Sequence, residues 1–306
     1  MDYKNDDTWR LVQGFLPFPN RLTRDNMPNE AFIMINGAKI HIDHYIIEKP
    51  KATVVLFHGV GGNGRLLSFI AIPLRKMGYE VICPDLPFYG YTQCDGSISY
   101  QTWVDYGVQI VRRFQKPDTS LFLFGLSAGG MLAYQIACEF DKINGVMATC
   151  LLDQRNPKVM RNSASNPLVA IAGKYFLELF HRPFSNFKIP MKAVCNMDAI
   201  VNNKSLAMLL MKDKKSSGAA VTLRFLYTMI NPMIKLEASQ FMKCPILLVH
   251  PEDDKWTDVS LSRLFFDELA CDKELRMLKG AGHFPIEPVG LKQLEQYCLD
   301  FLKKYQ

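Results

Sequence analysis

The stretch Phe124-Gly125-Leu126-Ser127-Ala128-Gly129-Gly130 places a serine between glycines with G-x-S-x-G spacing. Such spacing suits a sharp strand-to-helix turn that lifts a hydroxyl clear of a sheet, because glycines let neighbouring chain pass close by. An ordinary glycine-rich turn, with the serine capping a helix, would leave the same pattern. The distinction rests on partners, since a serine hydroxyl attacks a carbonyl at neutral pH only with a base in reach and a group to orient that base. Of six histidines, His283 in Gly280-Ala281-Gly282-His283-Phe284-Pro285 is the candidate base, because it directly follows an apolar strand-like run. His41, His44, His58, His181 and His250 sit in a hairpin, at strand ends or in an intervening segment, and read as structural.

For the orienting acid, Asp254 in the run 249–256 is the first choice, because this segment also follows a buried strand. Its neighbour Asp253 should cap the following helix or face water, and Asp153 is a second possible acid. Acyl transfer also needs donors for the oxyanion. The Ala128 amide, at a helix N-terminus, is one. The second should come from His58-Gly59-Val60-Gly61-Gly62, with Val60 the first candidate and Gly61 the next. This glycine loop lacks both the Lys-Ser/Thr ending of a P-loop and the G-x-G-x-x-G of a dinucleotide site, so a phosphate cradle is disfavoured.

Several elements must hold these groups. Apolar runs at 53–57, 80–83, 121–124, 145–152, 246–249 and 274–278 alternate with helical patterns at 66–77, 102–115, 128–140, 259–269 and 291–302. Continuous apolar strands separated by amphipathic helices predict a mostly parallel, doubly wound sheet with right-handed crossovers. Before them, residues 1–30 read as an irregular arm. Phe32, Met34, Ile40 and Ile42 then alternate around Asn36-Gly37, predicting an antiparallel hairpin with a type I′ turn, exposed on one face. About ninety residues separate the strand ending near Asp153 from the one starting near Pro245, too many for an α/β connection. Two helical faces lie within them: Leu168, Ile171, Ala172, Tyr175, Phe176 and Leu179, and Leu223, Leu226, Tyr227 and Ile230. The division is therefore an arm (1–30), a core (31–153 and 242–306) and an inserted helical cap (154–241), whose apolar faces should mostly pack as core.

The order Ser127, Asp254, His283 is that of an α/β-hydrolase triad. Four features together, from Thr53 to the C-terminus, resemble the α/β-hydrolase superfamily: the His-Gly-x-Gly-Gly loop, Pro84-Asp85-Leu86-Pro87 with Tyr89-Gly90, the serine turn, and the late Asp and His loops. The chain is similar to the capped lysophospholipase, monoacylglycerol lipase and serine aminopeptidase group, and that resemblance implies an esterase or lipase acting on apolar acyl substrates. Phe88 and Tyr89 replace the Gly-His usual after the Asp-Leu-Pro turn, and Pro251 stands where a glycine often precedes the acid.

The expected activity is cleavage of a small-molecule carboxylic ester through an acyl-enzyme on Ser127, without metal or organic cofactor. Peptide or thioester hydrolysis and acyl transfer are open alternatives on the same residues. A non-catalytic ligand receptor would be expected to have lost a triad member or an oxyanion glycine, and oligomerisation through the arm could coexist with catalysis. Composition narrows the partners. The chain has 306 residues, 48% of them hydrophobic, and a net charge of +6 from scattered basic residues, which disfavours nucleic acid. The densest basic run, Lys212, Lys214 and Lys215, reads as a solvated helix end. No apolar stretch approaches the ~18 residues of a membrane span. Eight dispersed cysteines with no metal spacing, and an N-terminus without signal-peptide character, lead us to expect reduced thiols in a cytoplasmic protein unless a leader has been removed.

Overall fold

The computed structural model describes residues 2–306. A short helix, α1 (Asp7–Gln13), lies in the N-terminal arm, capped by the Asp6 carboxylate accepting from the Trp9 amide. The arm is therefore not wholly irregular. A hairpin follows, β1 (Asn29–Ile35) and β2 (Ala38–Tyr45), whose connecting residues Asn36 and Gly37 both take the positive φ that a type I′ turn requires. Then come β3 (Thr53–Phe57), α2 (Ser68–Lys76), β4 (Glu80–Pro84), α3 (Tyr100–Phe114), β5 (Leu121–Gly125), α4 (Ala128–Glu139) and β6 (Gly145–Ala148).

After β6 the chain leaves the sheet for α5 (Pro157–Ser163), α6 (Pro167–Phe180), β7 (Lys188–Pro190), α7 (Met191–Val194), α8 (Lys204–Lys212), β8 (Ala220–Thr222) and α9 (Leu223–Ile230). It returns through β9 (Ile246–Pro251), α10 (Val259–Phe266), β10 (Lys273–Leu278) and α11 (Pro288–Tyr305). The eight-stranded sheet has the order β1-β2-β4-β3-β5-β6-β9-β10, antiparallel across β1-β2-β4 and parallel thereafter. This is the α/β-hydrolase fold. Strands β3 and β5 are buried along their whole length beneath helices on both faces, as their unbroken apolar sequences require.

The structure departs from the sequence reading at several places. The run 145–152 pairs only as far as Ala148, because the chain there peels toward the serine turn: Thr149 donates its amide to Gly125, and a Cβ on Gly130 would overlap the Cys150 carbonyl. The insertion is not purely helical, since β7 and β8 pair within it. Its first apolar face does not pack as core. Leu168 and Leu179 are 78% and 68% exposed, and α6 instead turns Val169, Ala170, Gly173 and Leu177 inward. Helix α6 is apolar around most of its circumference, so periodicity could not select the inward stripe. The second face behaves as expected, with Leu223 and Leu226 buried.

The hairpin is less exposed than its alternation implies, because the arm covers β2. Beneath it lies an ionic cluster. Arg65 pairs with Asp43 and Glu30, and Tyr3 donates from its hydroxyl to Asp85 at 3.1 Å. His41 is held 3.1 Å from Glu30, and its Nδ1 approaches Asp85 to 3.0 Å as an ion pair without hydrogen-bond alignment. Lys215 is not solvated either: its ammonium bridges Asp6 of the arm (3.1 Å) and Asp213 (3.4 Å). All eight cysteines are free thiols.

Burial opposes the charge on His41, but the close Asp85 carboxylate, the hydrogen bond to Glu30 and Coulomb attraction from Asp43 prevail and raise its pKa to about 10. A histidine whose folded pKa lies above its unfolded value of about 6.5 stabilises the fold fully below that pH and loses the contribution as pH rises. His58 and His250, lowered by burial, carry the opposite sign below about pH 6.5. Stability should therefore fall between about pH 6.5 and 8, by up to about 1.4 kcal/mol per pH unit. Urea midpoints across that interval should fall in the wild type and stay flat in His41→Gln.

Candidate active site

The serine turn is built by close approach. A Cβ on Gly125 would overlap the Gly129 carbonyl, and one on Gly129 would overlap the Phe57 carbonyl, so both positions must be glycine for α4 to start this near β3 and β5. Between them Ser127 is held at φ 54°, ψ −125°. A non-glycine residue in such a sparsely populated region costs about 1 to 3 kcal/mol, so neighbouring bonds must hold it. The Ser127 amide donates to Thr149 Oγ1 (2.9 Å), and Gly130 donates to the Ser127 carbonyl (2.8 Å). Among residues 126–130 the Ala128 amide alone has no partner within the described residues.

His283 arrives on the loop after β10 and Asp254 on the loop after β9, adjacent parallel strands that end at the same sheet edge. His283 Nε2 lies 2.7 Å from Ser127 Oγ, and its Nδ1 lies 2.8 Å from Asp254 Oδ2. Both rings of contact are dry: the His283 and Asp254 side chains are 2% and 1% exposed. Asp254 Oδ1 accepts from the amides of Trp256 (2.8 Å) and Thr257 (2.9 Å), while Thr257 Oγ1 donates to Oδ2 (2.9 Å). Burial raises the carboxyl pKa, but attraction to His283 and these hydrogen bonds outweigh it and hold Asp254 at about 2. The acid is thus ionised and saturated with donors, with one oxygen fixed on the imidazole.

Asp153, the alternative acid, turns away to pair with Arg155 at 2.8 Å, and Asp253 is exposed. His58 is buried with both nitrogens used: Nδ1–H donates to the Gly59 carbonyl (2.8 Å) and Nε2 accepts from the Leu86 amide (2.9 Å). Burial pushes its pKa down to about 4, so it stays neutral and ties the Gly59–Gly62 loop to the Asp85 turn. Within that loop neither the Val60 amide nor the Gly61 amide has a hydrogen-bond partner among the described residues.

Sequence reasoning missed Thr149, Thr257 and Ser217, which donates from Oγ to the Gly61 carbonyl (3.0 Å). Only Thr257 left a local signal, three residues beyond an aspartate where Asx and ST turns form. Two groups of ligand-type side chains come together, Cys150 with Asp254 and His283, and Glu30 with His41 and Asp43, but in both the carboxylates and imidazoles are already committed to each other or to Arg65.

Ser127 opens into a cavity of about 150 Å³ walled by Met131, Leu152, Ala170, Leu177, Leu226 and Met229, so the insertion lies over the serine. A family model described as serine aminopeptidase, S33, matches residues 48–287. The chain belongs to this S33 family. The S33 chain is 27% identical over 247 residues to phospholipase YtpA of Bacillus subtilis, covering 77% of this chain and 89% of that protein. To monoglyceride lipase of Mus musculus it is 26% identical over 243 residues, 76% of each chain. A crystal structure of a soluble variant of monoglyceride lipase from Saccharomyces cerevisiae, in complex with a substrate analogue, superposes with a TM-score of 0.75 at 20% identity, covering 95% of this chain and 99% of that one. By family and fold the S33 chain is a lipase-like α/β-hydrolase, and no helix among its described residues is long and apolar enough to cross a membrane.

The two acids give a sharp comparison. Asp254→Asn should lower kcat for ester hydrolysis by about 10⁴ through loss of the required imidazole tautomer. Asp153→Asn should change it only a few-fold, as initial rates will show, and the reverse ranking would transfer the role to Asp153.

Proposed function

We propose that this chain is a serine hydrolase that cleaves carboxylic esters carrying an apolar acyl group, through an acyl-enzyme on Ser127. The supporting observation is the unbroken line Ser127–His283–Asp254, at 2.7 and 2.8 Å, opening into an apolar cavity. In the first half-reaction His283 Nε2 takes the Ser127 proton as Oγ bonds to the carbonyl carbon. The carbonyl electrons collect on oxygen, facing the unpaired amides of Val60 and Ala128, where each donor contributes about 3 to 4 kcal/mol of transition-state stabilisation. The bond to the leaving oxygen then breaks, and His283 returns the proton to that oxygen. Water repeats the sequence on the acyl-enzyme, releasing the acid and free Ser127. Asp254 holds the ring and balances the imidazolium. Residues 154–241 serve as the cap that roofs the acyl cavity.

The cavity wall favours an ester over a peptide N-terminus. Among the described residues Asp153 is the one acidic residue lining it, and its carboxylate is already held by Arg155, which also pairs with Glu237, so Asp153 is not aimed at a substrate α-ammonium. Apolar burial rewards chain length at about 0.8 kcal/mol per methylene until the cavity is filled.

Proton release from ethyl acetate, butyrate, octanoate and laurate should show kcat/KM rising with acyl length to a maximum. A fluorophosphonate probe should label the wild type and not Ser127→Ala, which should lose at least about 10⁴ in kcat. Absence of both labelling and turnover on every ester would refute the assignment.

A further inference from the structure

Ser127 and Val60 border a second cavity as well, which is lined by the glycine loop 59–62. It has a volume of about 20 Å³ and is walled by Leu66, Leu67, Ile200, Leu210 and Phe284, with His283 also lining it. An ester attacked at Ser127 has two arms leaving the carbonyl carbon, and two cavities of very unequal size both border Ser127. We propose that the small cavity is the alkoxy subsite, and that the chain is selective for esters of a one- or two-carbon alcohol with a long apolar acid. This rests on the reading of Ser127 as the nucleophile.

The direction of binding follows from the proton. The leaving oxygen must receive the His283 Nε2 proton as its bond to carbon breaks, and His283 lines the small cavity but not the large one. The alkoxy arm therefore points into the small cavity and the acyl arm into the cavity of about 150 Å³. Size sets the first limit. A space of about 10 to 15 Å³ admits one water-sized group, so a cavity of about 20 Å³ takes a methyl or ethyl group and little more.

Chemistry sets the second limit, against a polyol. A glyceryl arm would bring two hydroxyls into this space, where the Val60 amide is assigned to the oxyanion and several of the other polar atoms are already used. The Gly59 carbonyl accepts from His58 Nδ1 (2.8 Å) and the Gly62 amide (3.1 Å), and the Gly61 carbonyl accepts from Ser217 Oγ (3.0 Å). Both nitrogens of His58 are engaged, as are both of His283. Hydroxyls buried there would go without partners, a cost that a methyl group does not meet.

The full chain should be assayed by proton release on methyl, ethyl, propyl and butyl octanoate, 1-octanoylglycerol and octyl acetate. We expect kcat/KM to fall about 10-fold or more at propyl and again at butyl, the scale of discrimination of one methylene in a tight apolar pocket. Methyl octanoate should exceed both 1-octanoylglycerol and octyl acetate by at least about 10-fold. Leu210→Ala, which removes part of the cavity wall, should raise the butyl-to-methyl ratio about 10-fold, and Leu66→Ala provides the same test at an independent wall position. A flat alkoxy series, or glyceryl ester turned over as fast as methyl ester, would overturn the subsite while fluorophosphonate labelling of Ser127 left the hydrolase reading standing. Octyl acetate exceeding methyl octanoate would reverse the two arms and overturn the proposal. Absence of turnover and of labelling would overturn both readings together.

Discussion

The strained backbone at Ser127 is the constraint on which the rest of this molecule is arranged. A φ of 54° on a residue with a side chain persists only where surrounding structure over-determines it. Here the surroundings are strands β3 and β5 packed at glycine-limited distance against the start of α4, with Thr149 fixing the serine amide. The same geometry leaves the Ala128 amide unpaired and aims the hydroxyl at the sheet edge where the β9 and β10 loops end. A Cβ at Gly125 or Gly129 would force the turn apart, and imidazole and hydroxyl would lose their register.

Beside the serine turn, the Gly59–Gly62 loop is buried and is tied by hydrogen bonds from three directions. His58 ties it to the Asp85–Leu86 turn. Ser217 ties it to the insertion, and Asn63 Nδ2 donates to the Lys215 carbonyl nearby (3.2 Å). Lys215 reaches in turn to Asp6, and Tyr3 to Asp85, so the N-terminal arm closes the circuit. The arm is thus part of the support of the glycine loop rather than a tail laid on the body. Its buried charges are tolerable because nearly every one faces an opposite charge; leaving one unpaired would cost several kcal/mol.

The insertion divides the space above Ser127 unequally. Helices α5, α6 and α9 enclose a long apolar cavity, while α8 closes against the glycine loop and leaves only a small one. Helix α6 buries a narrow inward stripe and leaves large apolar side chains such as Leu168 and Tyr175 outward. The shapes of both cavities beside Ser127 therefore depend on how this segment sits on the sheet edge.

Much of this was legible in the residues alone. Unbroken apolar runs such as 53–57 and 121–124 read as strands buried on both faces, and the G-x-S-x-G spacing points to a strand-turn-helix with Ser127 at its tip. Residues that follow successive parallel strands must emerge at one edge, which is why Asp254 and His283 could be named from position. Contacts that join distant segments left no such trace. Thr149, Ser217, Tyr3 and Lys215 act through partners far away in sequence, and nothing in their local spacing encodes those partners. For α6 the sequence was ambiguous, because a helix apolar on nearly all sides buries whichever stripe its neighbours admit. Local sequence decided the strands and the serine turn, since those depend on backbone sterics and short-range periodicity. Tertiary structure alone decided the sizes of the two cavities, because a void is what remains after all the surrounding side chains have packed.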